Sequence, residues 1–282
     1  MDLRRVLASH GVASLAPQRV DMGNWALETT LMIGGAARTV RVRSGRPGLA
    51  VIERPSGPAS KAVDTLLVSA VRHLFRLDDD LSAFYTLAGA DVSLAWATSG
   101  AGRMLRSLTV FEDVVKTICT TNCAWSATVR MTNALVSELG ELSADDRRAF
   151  PSPAAMAEAG PEFYDGVARA GYRGAYLRRL AMEVSEGRLD LEVMRSPEVP
   201  DAEVEKRLLA LPGVGPYAAA HIMLTSLGRY QRLVLDSWTR PTYAKLTGRP
   251  ASDKMIERRF RRYGKFAGLA FWLYLTEDWV GG

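Results

Sequence analysis

Three features of the sequence predict an α+β fold. The first quarter alternates apolar and polar residues with a period of two. A double glycine, Gly34–Gly35, interrupts that alternation, and from Lys61 onward the apolar spacing becomes helical and stays so. The predicted architecture is a small N-terminal antiparallel β-sheet domain over residues 1–78, followed by a mainly helical body over 79–282 with no clean linker between them.

The strands come first. Trp25 to Ile33 carries its larger apolar side chains at odd positions, and Ala37 to Arg43 alternates again after the glycine pair, so the two are expected to form a hairpin. A third strand, Gly48 to Glu53, follows a Gly/Pro turn over Ser44–Pro47, and Pro55 to Pro58 makes another break. Val63, Leu66, Leu67, Ala70, Val71 and Leu74 then fall on one helical face. Phe111, Val114, Val115, Ile118 and Cys119 form a second stripe, and Ala134, Leu135 and Leu139 a third. Two helical stretches, Glu205–Ala210 and Ala218–Leu227, flank a Pro-Gly-Val-Gly-Pro turn at 212–216. A last helix is expected over Met255–Trp279, interrupted near Gly264.

Composition narrows the class. The chain has 282 residues, 48% hydrophobic and 24% charged, which suits a globular protein and excludes a disordered or collagen-like one. Thirty-six Lys and Arg against 31 Asp and Glu leave a modest positive balance, compatible with a polyanionic partner. Two cysteines, Cys119 and Cys123, make neither a disulfide framework nor a four-thiolate metal site; their spacing suggests one helix face in a reduced compartment. The N-terminus lacks the apolar core of a signal peptide. The uncharged run from Leu208 to Gly228 is broken by Pro212, Gly213, Gly215 and Pro216, too short for the ~20 residues that span a bilayer. A cytoplasmic location, without a membrane, is the expectation.

The chemistry concentrates in Leu211–Pro–Gly–Val–Gly–Pro216. Two glycines let the backbone turn tightly and approach another molecule closely. The helix opening at Pro216 presents unpaired N–H groups and its positive dipole end, a small cradle for an anion such as phosphate. Nineteen residues after Tyr217 an apolar run ends in Asp236. On the residues alone this aspartate is equally a helix N-cap.

The turn and the distant acid together resemble the helix-hairpin-helix (HhH-GPD) DNA glycosylase superfamily, in its 3-methyladenine and 8-oxoguanine branch. The resemblance is strongest over 205–240, with the hairpin at 205–227 and the catalytic segment at 233–240. It implies that Gly213, Val214 and Gly215 hold the DNA backbone and that Asp236 is catalytic. Phe111 to Trp125 resembles the segment that enters the duplex from the minor groove, which would place Asn122 and Cys123 in the gap left by a flipped nucleotide. Gly171 to Tyr176 resembles the segment that wedges an aromatic between bases, here Tyr172, and points an arginine, here Arg173, at the orphaned base. The residues alone leave Asn122 readable as a helix end and Tyr172 as a core aromatic.

Two departures bear on activity. Strand-cleaving members carry a lysine two residues after the second glycine of the hairpin; here that position is Tyr217, so no Schiff base can form there. Where the 8-oxoguanine enzymes use a glutamine on the last helix, this chain has Phe271, next to Trp272. With Tyr217 and His221, one helical turn on, these rings would suit an electron-poor alkylated purine, although each reads equally as packing. The resemblance also implies a monovalent cation, Na+ or K+, on the backbone carbonyls of Leu209, Leu211 and Val214, with no cofactor required. No cluster-binding cysteines follow the hairpin, which excludes the iron–sulfur branch.

The expectation is a monomeric, monofunctional glycosylase acting on damaged double-stranded DNA in base excision repair, at the nucleoid in a bacterium. It would flip out an alkylated purine and hydrolyse its glycosidic bond with Asp236. The rivals are an oxidised- or deaminated-base glycosylase, 8-oxoguanine first, and a DNA-damage-binding protein without chemistry. The basic runs Arg169, Arg173, Arg178, Arg179 and Arg258, Arg259, Arg261, Arg262, Lys265 fit phosphate contacts or a solvated face alike.

Overall fold

The computed structural model describes residues 1–46, 48–54 and 60–280; the expected turn residue Pro47 and the break at Pro55–Pro58 lie outside them. A short helix, α1 (Leu3–Leu7), capped by the Asp2 carboxylate, precedes a four-stranded antiparallel sheet of order β1 (Arg19–Asp21), β2 (Ala26–Ile33), β3 (Ala36–Ser44) and β4 (Ala50–Glu53). Gly34 and Gly35 both take positive φ, +60° and +77°, the conformation a tight hairpin demands. β1 was not legible in the sequence because three residues are too few to establish a period.

One face of the sheet packs Leu27, Leu31, Val40 and Val42 against helix α2 (Lys61–Leu74), which is capped by Ser60. The other face is covered as well. Thr30 and Thr39 meet there at 3.0 Å, and Thr39 donates to Asp145 at 2.8 Å. That second cover comes from the helical body and ties the sheet to it.

The body has two cores. Helices α3 (Ser82–Gly89), α4 (Val110–Thr120), α5 (Trp125–Leu139), α6 (Pro153–Glu158), α7 (Arg173–Ser185), α8 (Asp201–Leu209), α9 (Pro216–Ile222), α10 (Thr239–Thr247), α11 (Asp253–Phe260) and α12 (Ala267–Leu275) follow in order. One core joins α4 through α9. The second joins α3 and residues 94–104 to α10, α11 and α12, although residues 110–227 separate them in sequence. Tyr217 on α9 packs against both. The interruption expected near Gly264 is a distorted turn, Arg261–Phe266, with Gly264 at φ +55° and ψ −124° between α11 and α12.

Lys116 is fully buried on α4 and lies 2.7 Å from the equally buried Glu112, one turn earlier. Its ammonium also reaches Gln18 and Ser107, each at 3.3 Å. Such a buried pair holds only with further donors and acceptors around it, and here they knit α4 to the N-terminal segment.

No helix among the described residues is long and apolar enough to cross a membrane.

Candidate functional site

The hairpin is built from α8, a turn over 210–215, and α9. Val214 N–H closes the turn on the Leu211 carbonyl at 3.2 Å, and the Val214 side chain is buried. Gly213 has φ +80°, and a Cβ there would sit 2.8 Å from Tyr176 Cδ2. Gly215 is exposed and extended at the N-cap of α9, with Pro216 at the first helical position. The sequence therefore buries the Leu211 and Val214 side chains and leaves the two glycines as uncovered backbone, which is how a turn meets a polyanion without charged side chains.

Asp236 caps α10. Its Oδ1 accepts from Trp238 N–H at 2.8 Å and Thr239 N–H at 2.6 Å, and its own N–H donates to Thr239 Oγ1 at 2.8 Å. The capping role and a chemical one are compatible, because capping engages Oδ1 only. Oδ2 accepts no hydrogen bond among the described residues. The half-buried carboxylate is thus held rigidly by one oxygen while the other remains available.

Tyr217 lies between the two cores, its hydroxyl 3.3 Å from Thr120 Oγ1 on α4. Burial, with the Asp236 carboxylate adding to it, raises its hydroxyl pKa. His221, one turn along α9, stands 5.9 Å from the Tyr217 ring and 6.1 Å from Trp272 between centroids. Burial lowers its pKa to about 3, so the imidazole is neutral. Trp272 continues the cluster to Trp238 and Trp279, and its indole N–H donates to the Ser9 carbonyl at 2.8 Å.

Phe271 does not join them. Its fully buried ring packs on Phe260 and Tyr243 inside the second core, so its expected place in the base pocket is corrected to plain packing. Adjacent residues on a helix point about 100° apart, and here Trp272 turns toward His221 while Phe271 turns toward Phe260. Sequence reasoning missed three aromatic neighbours of the site. Trp238 follows Asp236 by two residues and was legible by proximity; His10 and Trp279 arrive from the two ends of the chain and left no local signal.

The wedge segments meet. Helix α4 ends at Thr120 because Thr121 turns extended and Asn122 takes a left-handed φ of +46°. Cys123 therefore lies beyond the helix rather than on one face with Cys119, and its thiol donates to the Cys119 carbonyl at 3.2 Å. Cys119 is buried, its thiol pushed up to about 12 by burial, while Cys123 is half-buried; both are free thiols.

Exposed Asn122 donates to the hydroxyl of exposed Tyr172 at 3.4 Å. The Tyr172 ring meets Tyr176 edge-on, and Tyr176 backs Gly213. Asn122, Tyr172 and the hairpin thus form one continuous surface. Arg173 departs from its expected role. It is 7% exposed and its guanidinium donates to the carbonyls of Thr121 and Ala170, so it braces the Asn122 turn from behind instead of reaching outward.

Several of the basic residues are already engaged: Arg259 lies 4.3 Å over Tyr274, Arg262 pairs with Asp91, and Arg179 with Glu183. No group of three or more His, Cys, Asp or Glu side chains able to hold a metal occurs among the described residues.

No family model matches this sequence, and no curated protein does. Solved structures do. MBOgg1 in complex with a low-affinity DNA ligand superposes with a TM-score of 0.76 at 20% identity, covering 99% of this chain and 92% of that one. The apo 8-oxoguanine glycosylase/lyase of Clostridium acetobutylicum gives 0.72 at 21%, covering 92% and 87%. The 3-methyladenine DNA glycosylase of Archaeoglobus fulgidus gives 0.72 at 19%, covering 98% and 94%.

Proposed function

We propose that this chain, which has the fold of the helix-hairpin-helix DNA glycosylases, is a monofunctional DNA glycosylase that releases an alkylated purine. The observation that carries the reading is the Asp236 carboxylate, held by one oxygen and near enough to Tyr217 to raise its hydroxyl pKa, at a hairpin whose residue 217 is not an amine. Duplex DNA would lie on the hairpin turn and the Asn122–Tyr172 surface. The damaged nucleotide would rotate out of the stack toward Asp236, Tyr217 and Trp272.

Breaking the bond between the base nitrogen and C1′ leaves its electron pair on the departing base and positive charge on the sugar. Asp236 Oδ2 stabilises that charge, and a water adds its oxygen to C1′ while giving its proton to the carboxylate or to solvent. No covalent enzyme–sugar bond forms, because a tyrosine supplies no amine for an imine. Neutral His221 and the rings of Tyr217 and Trp272 would receive a cationic purine without charge repulsion. At the hairpin, the carbonyls of Leu209 and Val214 accept no hydrogen bond among the described residues, and that of Leu211 accepts one from Val214. They fit a Na+ or K+ that would hold the turn in shape.

The test is a single-turnover reaction of excess enzyme with labelled duplexes, each carrying one lesion: 3-methyladenine or etheno-adenine, hypoxanthine, 8-oxoguanine or uracil. Breaks that appear only after alkali support the proposal. Breaks without alkali overturn the monofunctional reading, and reaction of 8-oxoguanine alone moves the substrate to an oxidised purine.

A further inference from the structure

A cavity of about 520 Å³ opens at the far end of the hairpin from the glycine turn. Asp201, the first residue of α8, lines it, and so do Leu227 and Gly228, where α9 and its continuation end. The nine residues of α8 put roughly 13 Å between this cavity and the DNA-facing turn.

Its polar lining is dominated by cations. Arg76, Arg106, Arg195, Arg229 and Lys265 contribute to it, together with Tyr230. Three carboxylates also line it, but each is already engaged. Asp79 pairs with Arg76 at 3.1 Å, Asp201 with Arg229 at 2.5 Å, and Asp80 accepts from Ser82 N–H and its hydroxyl. Arg195 pairs outside the cavity with Glu192. Arg106 and Lys265 have no ion-pair partner among the described residues.

Arg106 is held in place by donating to the His73 carbonyl at 2.8 Å and the Ser226 carbonyl at 3.4 Å. Burial, and repulsion from Arg76 and Arg195, lower its guanidinium to about 10. The same positive field, on top of burial, holds neighbouring His73 neutral, with a pKa of about 3. Arg76 is 2% exposed, a guanidinium built into the wall. The Tyr230 hydroxyl is buried with no hydrogen-bond partner. Placing the Arg106 guanidinium, which has no carboxylate partner among the described residues, and an orphaned hydroxyl at one cation-rich cavity is costly unless an anion completes it.

We propose that this cavity is a phosphate-binding site, separate from the DNA-facing hairpin, with Arg106 and Arg195 as its principal donors, Lys265 at its rim and Tyr230 as a buried donor. Its volume admits a molecule of nucleotide size, and guanidinium forks match phosphate oxygens in pairs. The site is independent of the glycosylase reading.

The experiment titrates the intact protein with inorganic pyrophosphate by calorimetry, against sodium chloride of equal ionic strength. Binding by the wild type is expected, weakened about tenfold or more in R195Q/K265Q, whose two side chains are exposed, with folding checked because Arg195 also bonds His73 and Lys265 lies over the Phe266 ring. The variant R106Q is expected to lose binding too, with folding checked by circular dichroism. Base release by R195Q/K265Q should equal the wild type. A lesion-free duplex that displaces pyrophosphate would identify DNA phosphate as the occupant; simultaneous binding would identify a free phosphate compound. Both outcomes uphold the site. No binding by the wild type, or equal binding by R195Q/K265Q and folded R106Q, overturns it.

Discussion

His10 and His221 meet edge to face, their ring centroids 5.8 Å apart, one from the N-terminal segment and one from the hairpin helix. His10 Nε2 donates to the Leu105 carbonyl at 2.6 Å, which fixes its tautomer and leaves a buried Nδ1. Burial lowers His10 to about 4 and His221 to about 3, and His73 is lowered to about 3, so all three histidines of the chain are neutral when folded.

The sign of the pH effect follows. Below pH 6.5 the unfolded chain gains protons on these histidines while the folded chain does not. Stability present above pH 6.5 is therefore lost as pH falls toward 4, at about 1.4 kcal/mol per pH unit for each histidine. Chemical denaturation at pH 7, 6 and 5 should show this slope, and H10Q should reduce it. A stability independent of pH across that range would contradict the neutral, buried assignment.

Asp236→Asn should separate the cap from the chemistry. Asparagine keeps an oxygen for the Trp238 and Thr239 amides, so folding stability should change by no more than about 0.5 kcal/mol. Base release should fall by about 100-fold or more, with DNA affinity retained, because only the charge is lost. Asp236→Ala should lose both, with about 1 kcal/mol of stability. Single-turnover rates beside denaturation curves decide this, and full turnover by the asparagine variant refutes the role given to the carboxylate.

Tyr217→Phe removes one 3.3 Å hydrogen bond and keeps the ring between the two cores. Base release should stay within about threefold of wild type, as expected for one weak bond. Tyr217→Ala removes packing from both cores and should cost about 2–4 kcal/mol. Borohydride added during turnover should trap no protein–DNA adduct with the wild type, since no amine stands at this position.

Gly213→Ala strains the hairpin twice, through its φ of +80° and through a Cβ 2.8 Å from the Tyr176 ring. A loss of about 1–3 kcal/mol is expected, with weaker binding to duplex. Gly215→Ala is the control: its φ is −97° and a Cβ there meets nothing within 4 Å of protein. It should fold normally, and any effect on DNA binding would then come from crowding the backbone approach.

Much of the α+β order was legible because its signals are local. The Gly34–Gly35 hairpin and the Pro-Gly-Val-Gly-Pro turn are written in adjacent residues. The second core was not legible, because residues 81–104 pack against a segment more than a hundred positions later, and no periodicity encodes such a pairing. Phe271 and Trp272 illustrate the limit within the site. Sequence offered two neighbouring rings for one pocket, and only the rotation of α12 against α10 and α11 decides that Phe271 is packing while Trp272 meets His221. Arg173 failed for a similar reason: a guanidinium and an exposed reader have the same letter, and what separates them is the carbonyl of Thr121, set free where α4 stops.

Trp238, Trp272 and Trp279 have ring centroids within 6 Å of one another, and they are half of the six tryptophans in the chain. Asp236 is two residues from the first of them. The protein thus carries its own optical reporter at the acid. Indole emission will be weighted toward this one region, and a purine entering beside Trp272 will quench it before any bond breaks, giving base entry and base release separate clocks in the same stopped-flow trace.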